Sequence, residues 1–328
     1  MEFGDGRVFQ PDSGNPHVTL SSQGHTAVSD PETSLSNHSN LYTSAQVFRE
    51  TSSYTVNTKQ IGRHWLRLHF YPFENPKFNL KSAVFSVVAN GITLLHGFSF
   101  SKVGQTSHLV KEYVFQVDGT SSKKLVLTLS PWNGSIAFIN GIEVVSVPDG
   151  QFPSTEVMPV PLGPAVDVPK HVTFETAYRI NMGGQHITPK NDSLWRTWDQ
   201  TMLFLSMLLR PGMLQPIPAE SNTLMESQLK LHQIGFMPQL KRWRMHRSAI
   251  RNLTFHGHLK LSMASAILSD CIFVTLTMAL SAAYFTDFVT NVSMGSNRIL
   301  VQVGPPMLRD LPSNAILNGL EIMKNEQS

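Results

Sequence analysis

From Val8 to Val147 the chain alternates apolar and polar residues in short runs divided by clusters of Gly, Asn, Ser and Pro. SYTV, HWLRLHF, AVFSVVA, KEYVFQV, KLVLTLS and IEVVSV are four to seven residues long and rich in β-branched and aromatic side chains. Short strands at this spacing, with turn residues between them, predict a β-sandwich or barrel. In HWLRLHF the alternation sets Leu66, Leu68 and Phe70 on one face and Trp65, Arg67 and His69 on the other. The first face should be buried and the second at least partly polar.

Between Pro148 and Pro169 the pattern changes to PDGQFPSTEVMPVPLGPAVDVP. A run this rich in proline should carry neither a helix nor a central strand, which makes 151–172 a linker between domains. The expected organisation is a first domain over 1–150 and a second over 173–328, the latter starting near FETAYRINMGG.

The pattern also repeats. AFINGIEVV (Ala137 to Val145) is echoed by AILNGLEIM (Ala315 to Met323), KLVLTLSP by RILVQVGP, and KEYVFQV by TDFVTNV, in the same order. Two β domains of common descent are the economical reading. Asn-Gly between apolar residues signals a type I′ hairpin, so Asn140-Gly141 and Asn318-Gly319 are expected to be hairpin turns.

Composition narrows the setting. Only 15% of the 328 residues are charged and the net charge is +3, too little for global steering toward nucleic acid. The single cysteine, Cys271, rules out an internal disulfide framework and a cysteine-based zinc site. Asn-x-Ser/Thr sequons at Asn37, Asn133, Asn191, Asn252 and Asn291 point to secretion. The opening MEFGDGRVFQPDSG has neither the basic nor the apolar region of a signal peptide. His64 and His69 fall on opposite faces of one strand and cannot chelate one metal together. No zinc-protease, nucleophile-elbow or phosphate-loop spacing occurs, so no catalytic residue, metal or cofactor is expected.

GRHWLRLHFYPF, FSVVANGITLL, AFINGIEVVSVPD, YRINMGG, TPKNDSLWRTW, YFTDFV and NAILNGLEIMK resemble the tandem malectin-like ectodomain of plant receptor kinases of the FERONIA/THESEUS type. The resemblance covers 7 to about 200 and about 280 to 324. It implies an all-β fold of two tandem malectin-like, jelly-roll-like sandwiches, the second disrupted. It also implies a place on the extracellular side of the plasma membrane, beyond a transmembrane segment and a Ser/Thr kinase domain that the chain to Ser328 lacks. Its implied ligands are cell-wall polysaccharide, pectin above all, and secreted peptides with a co-receptor. Tyr42, Trp65, Tyr71, Phe73 and Trp132 are candidates for a sugar-stacking platform, with core packing as the alternative. Arg63, Arg67, Lys123 and Lys124 are candidates for pectin carboxylates, with plain solubility as the alternative. Gly183-Gly184, after YRINM, corresponds to a loop that lines the ligand cleft in animal malectin. Asn37, Asn133, Asn191 and Asn291 are the expected glycan sites. A structural or adaptor protein of the same fold that binds no ligand, or a pseudogene product, is the rival reading.

Residues 201 to about 277 depart from this pattern. They hold the basic run KRWRMHRSAIR (Lys241 to Arg251) and the apolar run MASAILSDCIFVTLTMALSAAYF (Met263 to Phe285). Taken alone, these would suggest a nucleic-acid or lipid patch and a membrane span. Yet codons built from the last base of one codon and the first two of the next restore family-like strings. TMLFLSMLLRP can encode NAFLVNAAAAR, and FHGHLKLSMASAILSDCIFVT can encode PWTFEVVNGFRYFVRLHFCD. The segment therefore reads as a shifted frame, and FVRLHF echoes WLRLHF of the first domain.

Overall fold

The computed structural model describes residues 6–29, 40–103, 108–118, 123–148, 156–160, 164–169, 171–201, 254–255, 259–264, 285–290, 299–300 and 318–326. The basic run, most of the apolar run, Asn37, Asn252 and Asn291 lie outside them. The chain divides into two compact units. One holds Met1–Ser154, Val168–Thr176 and Asn325–Ser328; the other holds Thr155–Asp167 and Ala177–Lys324.

The first unit is built from β1 (Val18–Leu20), β2 (His25–Val28), β3 (Ser44–Phe48), β4 (Ser52–Asn57), β5 (Gly62–Phe70), β6 (Val84–Ala89), β7 (Ile92–Ser99), a single helical turn α1 (Phe100–Val103), β8 (Leu109–Val117), β9 (Lys124–Pro131), β10 (Ala137–Ile139) and β11 (Gly141–Ser146). One sheet runs β1-β4-β9-β6-β7, a second contains β11-β5-β8, and a third runs β10-β3-β2. Leu66, Leu68 and Phe70 of β5 join Leu125, Leu127 and Leu129 of β9 and Phe85 and Val87 of β6 in one core. Phe70, Phe85, Phe98, Phe100 and Phe138 pack ring against ring within it. Fully burying each such side chain stabilises the fold by about 1.5–3 kcal/mol. The fold is all-β, as the alternation predicts.

Two expectations for this unit change. Both faces of β5 are buried, not one, because Trp65, Arg67 and His69 are covered as well. Asn140-Gly141 is no hairpin. The chain leaves β10, which pairs with β3, and enters β11, which pairs with β5 in the other sheet. Neither residue has positive φ. Asn140 instead ties the sheets together: its amide nitrogen donates to the Ser44 carbonyl at 2.8 Å, and its Oδ1 accepts from Tyr71 N at 2.7 Å. Gly141 is needed for space, since a Cβ there would lie 2.8 Å from Leu41 Cδ1. The I′-type turn stands at Asn90-Gly91 between β6 and β7, where φ is 46° and 86°.

The second unit contains β12 (Glu156–Val160), β13 (Val166–Asp167), the end of β14 (Thr173–Asn181), β15 (Asp199–Gln200), β16 (Thr254–Phe255), β17 (Leu259–Ala264), β18 (Phe285–Thr290), β19 (Ile299–Leu300) and β20 (Gly319–Glu326). β20, β17 and β18 are neighbours in that order, as β11, β5 and β8 are in the first unit. The repeat read in the sequence is thus also a repeat of strand order. The Pro-rich run does carry a strand: β12 pairs antiparallel with β13 and parallel with β18. It tolerates Pro159 because Glu156 and Val157 pair on one side and Met158 to Val160 on the other. Pro159 therefore meets a neighbour on one side only. Gly319 opens β20, and the Asn318 carbonyl accepts from Met182 N at 2.8 Å. The strand expected to precede that turn lies outside the described residues.

Candidate functional site

On the face of β5 turned away from the core, charges meet side by side. The register of β5 with β8 and β11 sets Arg67 opposite both Glu112 and Glu143. Arg67 Nε donates to Glu112 at 2.5 Å, and its Nη1 reaches Glu143 at 3.4 Å. Thr176 donates to the other oxygen of Glu112 at 2.8 Å. Glu143 takes two further contacts at 2.7 Å, from Arg7 Nη1 and from His69 Nε2. Nδ1 of His69 lies 2.9 Å from the Tyr42 hydroxyl. Arg67, His69 and Glu112 are all buried. Buried charges persist when each is paired and hydrogen-bonded, as these are.

The electrostatics follow from that geometry. Burial would raise the pKa of Glu143, but the His69 hydrogen bond and the charges of His69, Arg67 and Arg7 outweigh it and hold the carboxyl below its ordinary value. Burial pushes the Tyr42 hydroxyl up to about 12, with Arg7 opposing and Glu143 adding. The cluster is rimmed by aromatics. Tyr42 stacks on His108 at 5.0 Å and meets Tyr71 edge-on at 5.9 Å, while Phe9 stands edge-on to His69 at 5.8 Å.

Of the residues singled out in the sequence, the structure brings Tyr42 and Tyr71 together beside this cluster. Tyr42 is 7% exposed and Trp65 2%, so both are packed inward and neither lays a ring face on the surface. Phe73 belongs to the core. Arg63 is occupied, with Nη1 on the Val172 carbonyl at 2.6 Å, Nη2 on that of Pro169, and Phe174 beneath it at 5.7 Å. Its burial lowers the guanidinium to about 10. Lys123 and Lys124 are exposed. In the second unit Gly183 turns the chain with φ of 72°, and its N–H donates to Thr201 at 3.2 Å. Gly184 leaves room for Asn181, whose amide donates to the Gln185 carbonyl at 2.7 Å. Asn133 and Asn191 are exposed.

The sequence reading missed Arg7, Glu112 and Glu143. A signal for Glu143 was present, because it stands in the repeated Asn-Gly-x-Glu motif and its counterpart is Glu321. Glu321 is buried too and accepts from Arg179 Nε at 2.5 Å. A second echo joins Arg7-Val8-Phe9 to Arg196-Thr197-Trp198. Each arginine lies over the aromatic two residues on, at 5.9 Å and 5.3 Å. Asp192 grips Arg196 through both oxygens at 2.9 Å and accepts Trp198 Nε1 at 3.0 Å. Burial would raise the Asp192 pKa, but these partners and the Leu194 N–H bring it down to about 2.

A family model, the malectin-like domain, matches residues 6–218. It thus runs past Gln200, where the sequence reading ended the continuous resemblance. Receptor-like protein kinase THESEUS 1 of Arabidopsis thaliana is 33% identical over 352 residues, covering 97% of this chain and 40% of that protein. The chain thus spans about two fifths of that relative. The solved extracellular domain of ANXUR1 from Arabidopsis thaliana matches 100% of this chain and 94% of its own, with a TM-score of 0.69 and 21% identity. A solved complex of the plant peptide RALF23 with FER and LLG2 matches 99% of this chain and 93% of its own, with a TM-score of 0.63 and 22% identity. With its β-sandwich strand order and the Asn-Gly-x-Glu strand repeated in both halves, the chain belongs to the malectin-like domain family.

Proposed function

We propose that this chain is the ligand-sensing part of a plant receptor-like kinase, displayed on the outer side of the plasma membrane, and that it takes a secreted peptide together with a co-receptor. The observation that carries the reading is the likeness along the whole chain to a receptor-like kinase, of which it covers two fifths. The FER complex, of the same fold, holds a peptide and a second protein. The domain organisation that goes with it is a first malectin-like domain over 1–150, a linker over 151–172 and a second domain over 173–328. In this reading 201–277 is a shifted frame within the second domain.

Cell-wall polysaccharide is the second reading. Tyr42 and Trp65 are packed inward and Arg63 is bound to carbonyls, which favours the peptide. Exposed Lys123 and Lys124 are the cations left for pectin carboxylates. The test uses the full chain, secreted behind an added leader and immobilised, with RALF23 plus LLG2 in one arm and de-esterified pectin fragments in the other. Saturable binding in the first arm supports the peptide reading. Binding only in the second, lost on raising salt, replaces it with the polysaccharide reading. Binding in neither favours a structural or adaptor role.

A further inference from the structure

Among the described residues of the first unit, Trp132 is the large aromatic left on the surface, 39% exposed, outside the Glu143 cluster. It is nonetheless held firmly. Its Nε1 donates to Ser86 Oγ at 2.8 Å, and Ser86 Oγ also accepts the Gly97 N–H at 3.1 Å. His96 meets the indole edge-on at 5.0 Å. The benzo ring covers Gly97, where a Cβ would lie 3.0 Å from Cη2, so glycine there makes the seat for the ring.

The next residues make a tight turn. Ser135 N donates to the Trp132 carbonyl at 2.7 Å, and φ is 33° at Asn133 and 77° at Gly134, the I′ pattern. Asn133 is exposed and, with Ser135, forms an Asn-x-Ser sequon. The turn therefore places a sequon asparagine one residue from a fixed, half-open indole. A pyranose ring presents an axial C–H face that is apolar, while its hydroxyls point outward. Laying that face on an indole removes apolar area from water and keeps the hydroxyls hydrated.

We propose that Asn133 carries an N-linked glycan whose first N-acetylglucosamine stacks on Trp132, so that Trp132-Asn133-Gly134-Ser135 acts as one glycan-anchoring turn. The inference rests on the extracellular reading above, since attachment requires the secretory route. Asn133 is the occupant's anchor, and the seat built by Ser86, His96 and Gly97 fixes the surface it covers. Asn191, exposed on a short 3-10 turn, supplies an internal reference in the same molecule.

The test secretes the full chain from a eukaryotic cell line that makes uniform high-mannose glycans, behind an added leader. Occupancy at Asn133 and Asn191 is read by peptide mass spectrometry. Native digestion with an endoglycosidase that cuts the chitobiose core is then timed at each site. We expect Asn133 to be occupied and slow to release. Trp132→Ala should speed release there roughly two- to tenfold, Trp132→Phe should retain most of the protection, and neither should alter release at Asn191. An empty Asn133, or equal release from Trp132→Ala and the parent, would overturn the proposal. So would quenching of tryptophan fluorescence by free chitobiose in Asn133→Gln beside an unprotected Asn133 glycan, which would give the indole to a free sugar instead. The added leader separates this result from natural routing: a parent chain that never reaches the cell surface refutes the receptor reading but not the stacking.

Discussion

Nη1 of Arg7 lies 2.7 Å from Oε1 of Glu143, across 136 residues of chain. This contact fastens the segment before β1 to β11, and the same carboxylate receives His69 and faces Arg67. Glu143 is thus the anion on which three cationic or cation-capable side chains converge. Glu143→Gln keeps the shape but leaves Arg67 with less charge to meet. It should cost about 3–5 kcal/mol, against about 1 kcal/mol for Arg7→Ala at the rim. Urea unfolding followed by tryptophan fluorescence checks the order; equal costs would show that the network does not centre on Glu143.

Acid should destabilise the first unit in two stages. Burial lowers the pKa of His64 from its ordinary 6.5, with a hydrogen bond to the Gly62 carbonyl opposing. The unfolded chain therefore takes up a proton below 6.5 that the folded chain refuses, and stability falls as pH drops through that value. Glu143 has a depressed pKa, so its contribution is present above 4.5 and is lost as pH falls through its folded value. Urea midpoints across this range should show both stages. His64→Leu should remove the upper stage and Glu143→Gln the lower.

Two glycines test two different reasons for glycine. Gly141→Ala drives a Cβ into the buried Leu41 and should cost about 1–3 kcal/mol by overpacking. Pairing it with Leu41→Ala should give a total cost below the sum of the two single costs. Gly91→Ala meets nothing within 4 Å but sits at φ of 86°. It should cost about 1–2 kcal/mol from backbone strain alone, and Leu41→Ala should leave that cost unchanged. Thermal melts of the three single and two double variants decide.

The strands of the first unit were legible because alternation with period two is local and strong there, and β5, β6, β8 and β9 fall on the runs the pattern marks. The role of Asn140-Gly141 was not legible. The same dipeptide that turns a hairpin at Asn90-Gly91 serves at Asn140-Gly141 to cross between sheets, and only the distant strands β3 and β5 decide which. β12 escaped for a related reason: proline excludes ladder bonds on both sides, but this strand is paired on one side at a time. The charged cluster needed contacts more than 70 residues apart, as between His69 and Glu143. Pattern within one strand cannot supply these, although Arg67 and His69 on a shared face hinted at it.

The second unit carries its own prediction. β17 sets Ser262 opposite Glu321, where the equivalent register of the first unit sets Arg67 opposite Glu143. The string FVRLHF, readable in the shifted frame a few residues beyond β17, holds the arginine that corresponds to Arg67. Sequencing the transcript across the codons for Gln200 to Ser281 should reveal the frame that encodes it. A transcript confirming the printed frame, in a stable and abundant protein, would remove the frame-shift reading.

Equilibrium binding decides whether this malectin-like chain takes a peptide outside the cell. The full chain, secreted and immobilised, is titrated with RALF23 in the presence of LLG2, and then with LLG2 alone. A saturable signal that requires the peptide and survives moderate salt is expected. No peptide-dependent signal, from chain whose unfolding is cooperative, would contradict the peptide reading.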